Sequence, residues 1–551
     1  MKIGLAYVKG AVPGLENFGN IPTDLIKSNG LLNGNPISQE LDGLIIPGGS
    51  ILESKSISED FKREIKTMAK DGKPIIGICA GYQLLSNQLD ITNPNHKFSN
   101  NPNHKSTTNP NKFSTNYSNS NLNKNNIKEG LSLLDVNFSY LFSNDKVVSK
   151  VATDSYLTKD LDTVNGFHCH SYGGISGDAK VLFYSPLRVN YSREYQDIIS
   201  GSINDDGNVI GTMIHNILDD NPKVVSNFFD FIGANDKDIE HIYEKNKILQ
   251  YKMKNEIAID TNIFVKPNLD NIENPFLKFK REEGKDPKVL LIASTNSKSG
   301  KTFLTAGIAA NLMENGLNVG VLKLGSNIKD ILPALYLTKS NMENYCLIKN
   351  ENINSNDINP SDVFGWSDIS EIISNIKNSP YDIVLIEGEK GIFDNLTNPN
   401  FYSTVEIALS SNIPILLISS AKEALDYGIT DLIEHEKILY SLGIKLEGAI
   451  LNNIQEEDFN SYDSIISSFK NNIELDNIFK VPKVDSKFGL EGKLNLNPSE
   501  FENRYDIYSL LAYYIVKNNL DLLKIVEMSK EIKFNKFYSL EELEFLNKFL
   551  S

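Results

Sequence analysis

Short apolar runs recur along most of this chain, each followed by a longer mixed segment. KIGLAYV, DGLIIPGG and KPIIGIC stand in the first third, and KVLLIAST, NVGVLKLG, YDIVLIEG, IPILLIS and LEGAILNN in the second half. Continuous apolar runs suit strands buried on both faces, and the segments between them have room for helices. The expected fold class is therefore α/β, with two doubly wound domains plus C-terminal helices. The boundaries read as residues 1–235, a charged linker at 236–286, a second domain at 287–485 and a helical segment at 486–551. The length of 551 residues is ample for two cores. From about 92 to 126 the chain is Asn/Ser-rich, with NPNHKFS, NPNHKS and NPNKFS as an imperfect repeat. It has too few apolar side chains to repay the entropy of ordering and reads as a disordered surface insertion.

Composition narrows the partners. A formal net charge of −16 argues against nucleic acid and against an anionic membrane surface. The three cysteines, Cys79, Cys169 and Cys346, are far apart and odd in number, which fits a reducing cytoplasm better than a disulfide framework. MKIGLAYVKG reads as a first strand, without the apolar core of a leader. No run approaches the roughly 18 apolar residues of a membrane span.

Cys79 lies in GICAGYQLL, between a strand and a helix-forming run, with Gly77 and Gly81 two residues to either side. A buried thiol is the ordinary fate of a cysteine. Flanking glycines instead let the backbone make a sharp elbow that presents the side chain, and a helix N-terminus favours thiolate and oxyanion. A nucleophilic cysteine needs a base. His215 is delivered by the strand VIGTMIH, while His168 and His170 share one face of NGFHCHSYGG if that stretch is extended. The His-Cys-His spacing matches no usual zinc pattern.

The second chemical signal is STNSKSGKT, between a strand and a helix. The strict phosphate-loop pattern wants glycine where Thr295 stands, but the remainder conforms. Backbone N–H groups from Ser297 to Gly300 and the following helix would cradle phosphates. Lys301 would neutralise charge and Thr302 would hold Mg²⁺. Asp330 and Glu387 are candidate carboxylates for the same metal.

Together these segments resemble the cobyric acid and cobyrinic acid a,c-diamide synthase family. GICAGYQLL resembles its G-x-C-x-G-x-Q-x-L nucleophile motif. ENFGNIPTDLI, LDGLIIPGG, GLSLLD, NGFHCH and NVIGTMIHNILDD resemble further elements of its glutamine amidotransferase domain, in order. STNSKSGKT, VLKLGSNIKDILPALYL, YDIVLIEGEKGIFDN, STVEIA and GAILNNI resemble its ATP-dependent synthetase domain. The familiar members carry the two domains in the reverse order.

The resemblance implies Cys79 as nucleophile, His215 as base and His170 as a supporting histidine. The backbone near Gly49 and Ala80 would form the oxyanion hole. It implies ATP at Ser297, Ser299, Gly300, Lys301, Thr302 and Asn452, and substrate or nucleotide beside Lys323 and Asp394. L-Glutamine would be the nitrogen donor, ATP and Mg²⁺ the cofactors, and a carboxylate-bearing tetrapyrrole such as cobyrinate or nickel sirohydrochlorin the acceptor. A homodimer is left open. Asn216, Ser326 and Asn395 depart from the family pattern, standing in place of glycine, proline and glycine, and no glutamate follows His215 at the second position. The third triad member is therefore unnamed. A dethiobiotin-synthetase-like enzyme and an ATP-binding regulatory protein are the alternatives.

Overall fold

The computed structural model describes residues 1–8, 11, 16–92, 126–189, 194–261, 274–324, 332–340, 346–347, 365–366, 369–396, 403–469, 475–483 and 505–532. Asp330, Ser326 and nearly all of the Asn/Ser-rich insertion lie outside them. The chain divides into two compact units, Met1–Asn190 with Glu194–Met253, and Lys254–Ser551.

The first unit is built on a nine-stranded sheet. Its strands are β1 (Ile3–Ala6), β2 (Asp24–Ile26), β3 (Gly43–Ile46), β4 (Ile75–Ile78), β5 (Ser143–Val151), β6 (Thr163–His170), β7 (Lys180–Arg188), β8 (Tyr195–Ile203) and β9 (Val209–Thr212). They lie in the order β6-β5-β7-β8-β9-β4-β3-β1-β2. From β9 to β2 every pairing is parallel. β1, β3, β4 and β9 are buried at every position, as their unbroken apolar runs require.

From β9 outward to β6 the pairings are antiparallel. There β5 alternates buried and exposed residues from Asp145 to Lys150, the signature of a half-covered sheet. The sheet is thus mixed where an apolar-run reading suggests a parallel one, because the alternating strands carry a weaker signal than IGLA, GLII or IIGI.

Helix α1 (Glu59–Lys70) starts where the Ser58 hydroxyl accepts the Phe61 N–H at 3.1 Å, and buries Phe61, Ile65, Met68 and Ala69 along one stripe. The short α2 (Ala80–Leu85) follows β4 directly and is wholly buried. Helix α3 (Asp236–Thr261) occupies the first half of the stretch read as a linker.

The second unit carries six parallel strands: β10 (Lys288–Ser294), β11 (Val319–Lys323), β12 (Ile383–Glu387), β13 (Ile415–Ser420), β14 (Leu446–Ile454) and β15 (Ile478–Pro482). Their order is β11-β12-β10-β13-β14-β15. Helix α4 (Lys301–Glu314) follows β10, and α5 (Tyr505–Asn519), from the C-terminal segment, packs on it. A Cβ on Gly307 would lie 2.3 Å from the Ala512 carbonyl oxygen, so glycine permits the close approach of these two helices. The Asn311 amide donates to the Tyr513 carbonyl at 2.9 Å, fixing their register. Among the described residues no helix is long and apolar enough to cross a membrane.

Candidate active sites

Cys79 sits where β4 hands over to α2, with φ 50° and ψ −104°, a region non-glycine residues enter only under constraint. Three contacts impose it. The Cys79 N–H donates to the Thr212 carbonyl of β9 at 2.8 Å, and the Gln83 N–H to the Cys79 carbonyl at 3.0 Å. The Gly81 N–H donates to the Pro47 carbonyl at 3.1 Å. Gly81 can approach because a Cβ there would lie 2.1 Å from the Ile46 oxygen, and one on Gly77 would strike Leu85 and Gly81. Both flanking glycines are thus required by the elbow itself.

The end of β3 completes the pocket floor. A Cβ on Gly48 would come within 2.7 Å of the His215 ring and 3.5 Å of Cys79 Cβ, so one bare backbone segment touches both side chains. Gly49 follows at φ 127°. Cys79 and His215 are brought together, both buried, with Gly49 and Ala80 on the adjoining backbone.

His215 is held from both sides. Its backbone exchanges hydrogen bonds with Phe167 at 2.8 and 3.1 Å. Its Nδ1 lies 2.6 Å from Glu16 Oε1, and Glu16 Oε2 accepts the Asn216 N–H at 2.8 Å. Both side chains are almost fully buried, at 1% and 5% exposure. A carboxylate at Nδ1 selects the tautomer with N–H at Nδ1, which leaves the ring lone pair on Nε2. Glu16 was not found from the sequence, although it opens the ENFGNIPTDLI segment singled out there. A separation of 199 residues gives no local signal. Asn216 has φ 58°, which explains how asparagine replaces glycine after the histidine: it is the side chain that best tolerates this region.

His170 is engaged through both ring nitrogens. Nδ1 donates to the Leu141 carbonyl at 3.0 Å, and Nε2 lies 3.0 Å from His168 Nδ1. His168 Nε2 lies 3.0 Å from the Ser185 hydroxyl, itself 2.7 Å from Ser149 and 2.6 Å from Ser200. Burial lowers the His170 pKa to about 4, against the Leu141 hydrogen bond, and the charge of His215 lowers it further. Burial also holds His168 well below the ordinary histidine value, with His170 and His215 adding to the effect. Both rings are neutral in a wholly buried polar network.

In the second unit the loop after β10 closes on its own side chains. Lys301 Nζ donates to the Ser294 hydroxyl at 2.8 Å and to the Lys390 carbonyl. Ser294, where the longer loop pattern of the resembled family, G-T-x-S-x-x-G-K-[ST], has its first glycine, therefore receives the loop lysine. The Ser299 hydroxyl donates to the Asn296 carbonyl at 2.8 Å, and the Asn452 amide donates to the Ser299 carbonyl at 2.9 Å. A Cβ on Gly300, φ 95°, would lie 2.2 Å from that amide nitrogen. Asn452 accordingly touches the loop backbone, and Ser297 is exposed at the loop's outside.

Thr302 Oγ1 donates to Glu387 Oε1 at 2.7 Å, and Lys323 Nζ lies 3.0 Å from the same oxygen. Two hard oxygens meeting at the start of α4 suit Mg²⁺. Asp394 is exposed, and its carboxylate caps a turn by accepting the Gly391 N–H at 2.8 Å. Asn395 has φ 68°, so its replacement of glycine has the same conformational explanation as Asn216. Asp431, missed in the sequence, accepts from the Asn296 amide at 3.2 Å and the Ser419 hydroxyl at 3.0 Å, tying the loop's outer limb to the next strand. Among the described residues no cluster of three or more metal-ligating side chains occurs.

The elbow and the phosphate loop agree with the families that the sequence matches. Residues 26–223 match the CobB/CobQ-like glutamine amidotransferase domain, and residues 288–486 match an AAA domain. The match to a glutamine amidotransferase domain thus comes first along the chain and the match to an AAA domain second. Among curated relatives, the cobyric acid synthase of Clostridium botulinum is 29% identical over 232 residues, 39% of this chain and 38% of the relative. A probable cobyric acid synthase of Methanosphaera stadtmanae is 31% identical over 221 residues, 38% and 37%. The chain thus spans little more than a third of the length of these relatives. A solved structure of PurLQS from Thermotoga maritima is 17% identical over 42% of this chain and 98% of that one, with a TM-score of 0.28.

Proposed function

We propose that this chain is a glutamine- and ATP-dependent amide ligase. The observation that carries the reading is the strained Cys79 elbow seated beside a histidine whose tautomer a buried carboxylate fixes. In the glutaminase half, His215 Nε2 takes the Cys79 thiol proton and the sulfur attacks the side-chain amide carbon of glutamine. The C–N bond breaks, His215 returns the proton to the leaving nitrogen, and ammonia departs. Water then hydrolyses the thioester to glutamate with His215 again as base. Glu16 orients the ring and stabilises the imidazolium. Backbone N–H groups near Gly49 and Ala80 are the oxyanion donors in this reading. His170 and His168 brace the strand that pairs with His215.

In the synthetase half, the acceptor carboxylate attacks the terminal phosphorus of ATP and ADP leaves. Ammonia then attacks the acyl carbon, expelling phosphate and leaving the amide. Loop N–H groups and Lys301 bind the phosphates, with Asn452 holding the loop in shape. Thr302 and Glu387 would hold Mg²⁺, which supplies charge neutralisation at the phosphates. Lys323 and Asp394 are the proposed contacts to acceptor or nucleotide, and Asp330 would be a further carboxylate for the metal. A tetrapyrrole carboxylate is the acceptor class that the motif resemblance and the relatives' names support. We read the chain as a soluble cytoplasmic enzyme with the domain boundaries given above.

Ammonia release from glutamine, compared between wild type and Cys79→Ala, tests the reading. Wild type is expected to exceed the variant by about four orders of magnitude or more. Equal release by the two proteins, with ATP and sirohydrochlorin-type carboxylates present, would end it.

A further inference from the structure

Lys323 and Glu387 are set opposite each other by strand register, as the last residues of β11 and β12. They are 2% and 1% exposed, with Nζ and Oε1 3.0 Å apart. Lys323 Nζ also donates to the Gly388 carbonyl at 3.1 Å. The Thr302 hydroxyl lies on the same carboxylate oxygen. The second lysine of the site is handled alike, since Lys301 donates to Ser294 and to the Lys390 carbonyl. The strand end from Glu387 to Lys390 thus holds both ammonium groups on oxygens of the protein.

A carboxylate this deeply buried needs a compensating cation at all times. In the proposed reaction that cation is Mg²⁺, held by Thr302 and Glu387. An ammonium and a divalent ion on one carboxylate repel each other strongly in a low-dielectric site. The lysine stem has four rotatable bonds, so a change of rotamer can carry the ammonium off this oxygen.

We propose that Lys323 is an exchangeable counter-ion of Glu387: Mg²⁺ entry displaces its ammonium, which then becomes the cation that receives the acceptor carboxylate. The inference rests on the reading of Thr302 and Glu387 as metal ligands. It orders the reaction, with the metal nucleotide loading before the acceptor. It also keeps the buried carboxylate neutralised in both states, and exposes an acceptor-binding charge only once ATP is in place.

The test uses full-length protein and needs no acceptor. Mg²⁺ is titrated at saturating fluorescent ADP, and the metal-dependent change in nucleotide signal is read. Lys323→Met removes the competitor and should tighten apparent Mg²⁺ affinity about tenfold, while Lys323→Arg, which keeps a charge, should stay within about twofold of wild type. Unchanged or weakened Mg²⁺ affinity in Lys323→Met overturns the exchange. Glu387→Gln separates this from failure of the metal reading: wild-type Mg²⁺ affinity in that variant removes Glu387 from the metal site altogether. A measurement on wild type covers the case in which Lys323→Met does not fold. Acetylation of Lys323 by acetic anhydride, read by peptide mass spectrometry, should rise at least about threefold with Mg²⁺ and ADP over ADP alone. No rise overturns the proposal equally.

Discussion

The two candidate centres sit at the carboxyl ends of parallel strands, yet they are prepared for chemistry in opposite ways. In the first, Cys79, His215 and Glu16 already meet in a buried arrangement that needs no further partner to define the base. In the second, Lys301, Lys323 and Thr302 are bonded to oxygens of the protein itself. Under the proposed function, the difference follows from what each would bind. A glutaminase acts on a neutral amide, so its charges can be balanced internally beforehand. A kinase-like step receives a polyanion with its metal, so its cations rest on protein groups that the ligand can replace.

If the first centre is preassembled, Glu16→Gln should cut glutaminase turnover by about 10³ to 10⁴, because a neutral amide can hold His215 in the wrong tautomer. Steady-state ammonia release reads this, and a loss below about tenfold would show that the contact is only structural. Lys301→Ala should lower ATP-dependent amide formation by about 10² to 10³ while glutaminase measured without ATP stays within about twofold. Parallel loss of both activities would break the division between the centres.

The acid side of the pH range offers a smaller effect, confined to the first unit. Burial lowers the His170 pKa to about 4, so between there and the ordinary value of 6.5 the unfolded chain binds a proton that the folded protein refuses. Stability is therefore complete above about pH 6.5 and falls as pH drops towards 4, by roughly 3 kcal/mol for this one ring. Denaturant midpoints from pH 7.5 to 4.5 should fall for the transition of the first unit. A Phe167 or His215 signal that holds while the second unit melts first would assign the acid sensitivity elsewhere.

How much of this was legible depended on whether the cause was local. The Cys79 elbow was visible because Gly77 and Gly81 are needed within two residues of it, and steric demand leaves a mark in spacing. The loop lysine and Thr302 were visible for the same reason. Glu16 was not, since only the order of strands carries it to His215 across 199 residues. The antiparallel half of the first sheet was underread because β5 alternates, and alternate apolar residues do not make a run. Asn216 and Asn395 stand where the resembled family has glycine, and their positive φ shows that both meet the same backbone requirement. Ser326, a further departure, lies outside the described residues.

The long reach from Glu16 to His215 also explains why chain length between them is cheap. The entropy of closing a loop grows only with the logarithm of its length, as 3/2 RT ln n. The Asn/Ser-rich stretch at about 92–126 is closed locally, where Asp90 pairs with Ile127 on antiparallel strands. Doubling its length would therefore cost only about 0.6 kcal/mol and would leave the 199-residue separation of Glu16 and His215 bridged by the same fold. The Cys79 centre is thus insulated, by polymer statistics, from growth of sequence at that point of the chain.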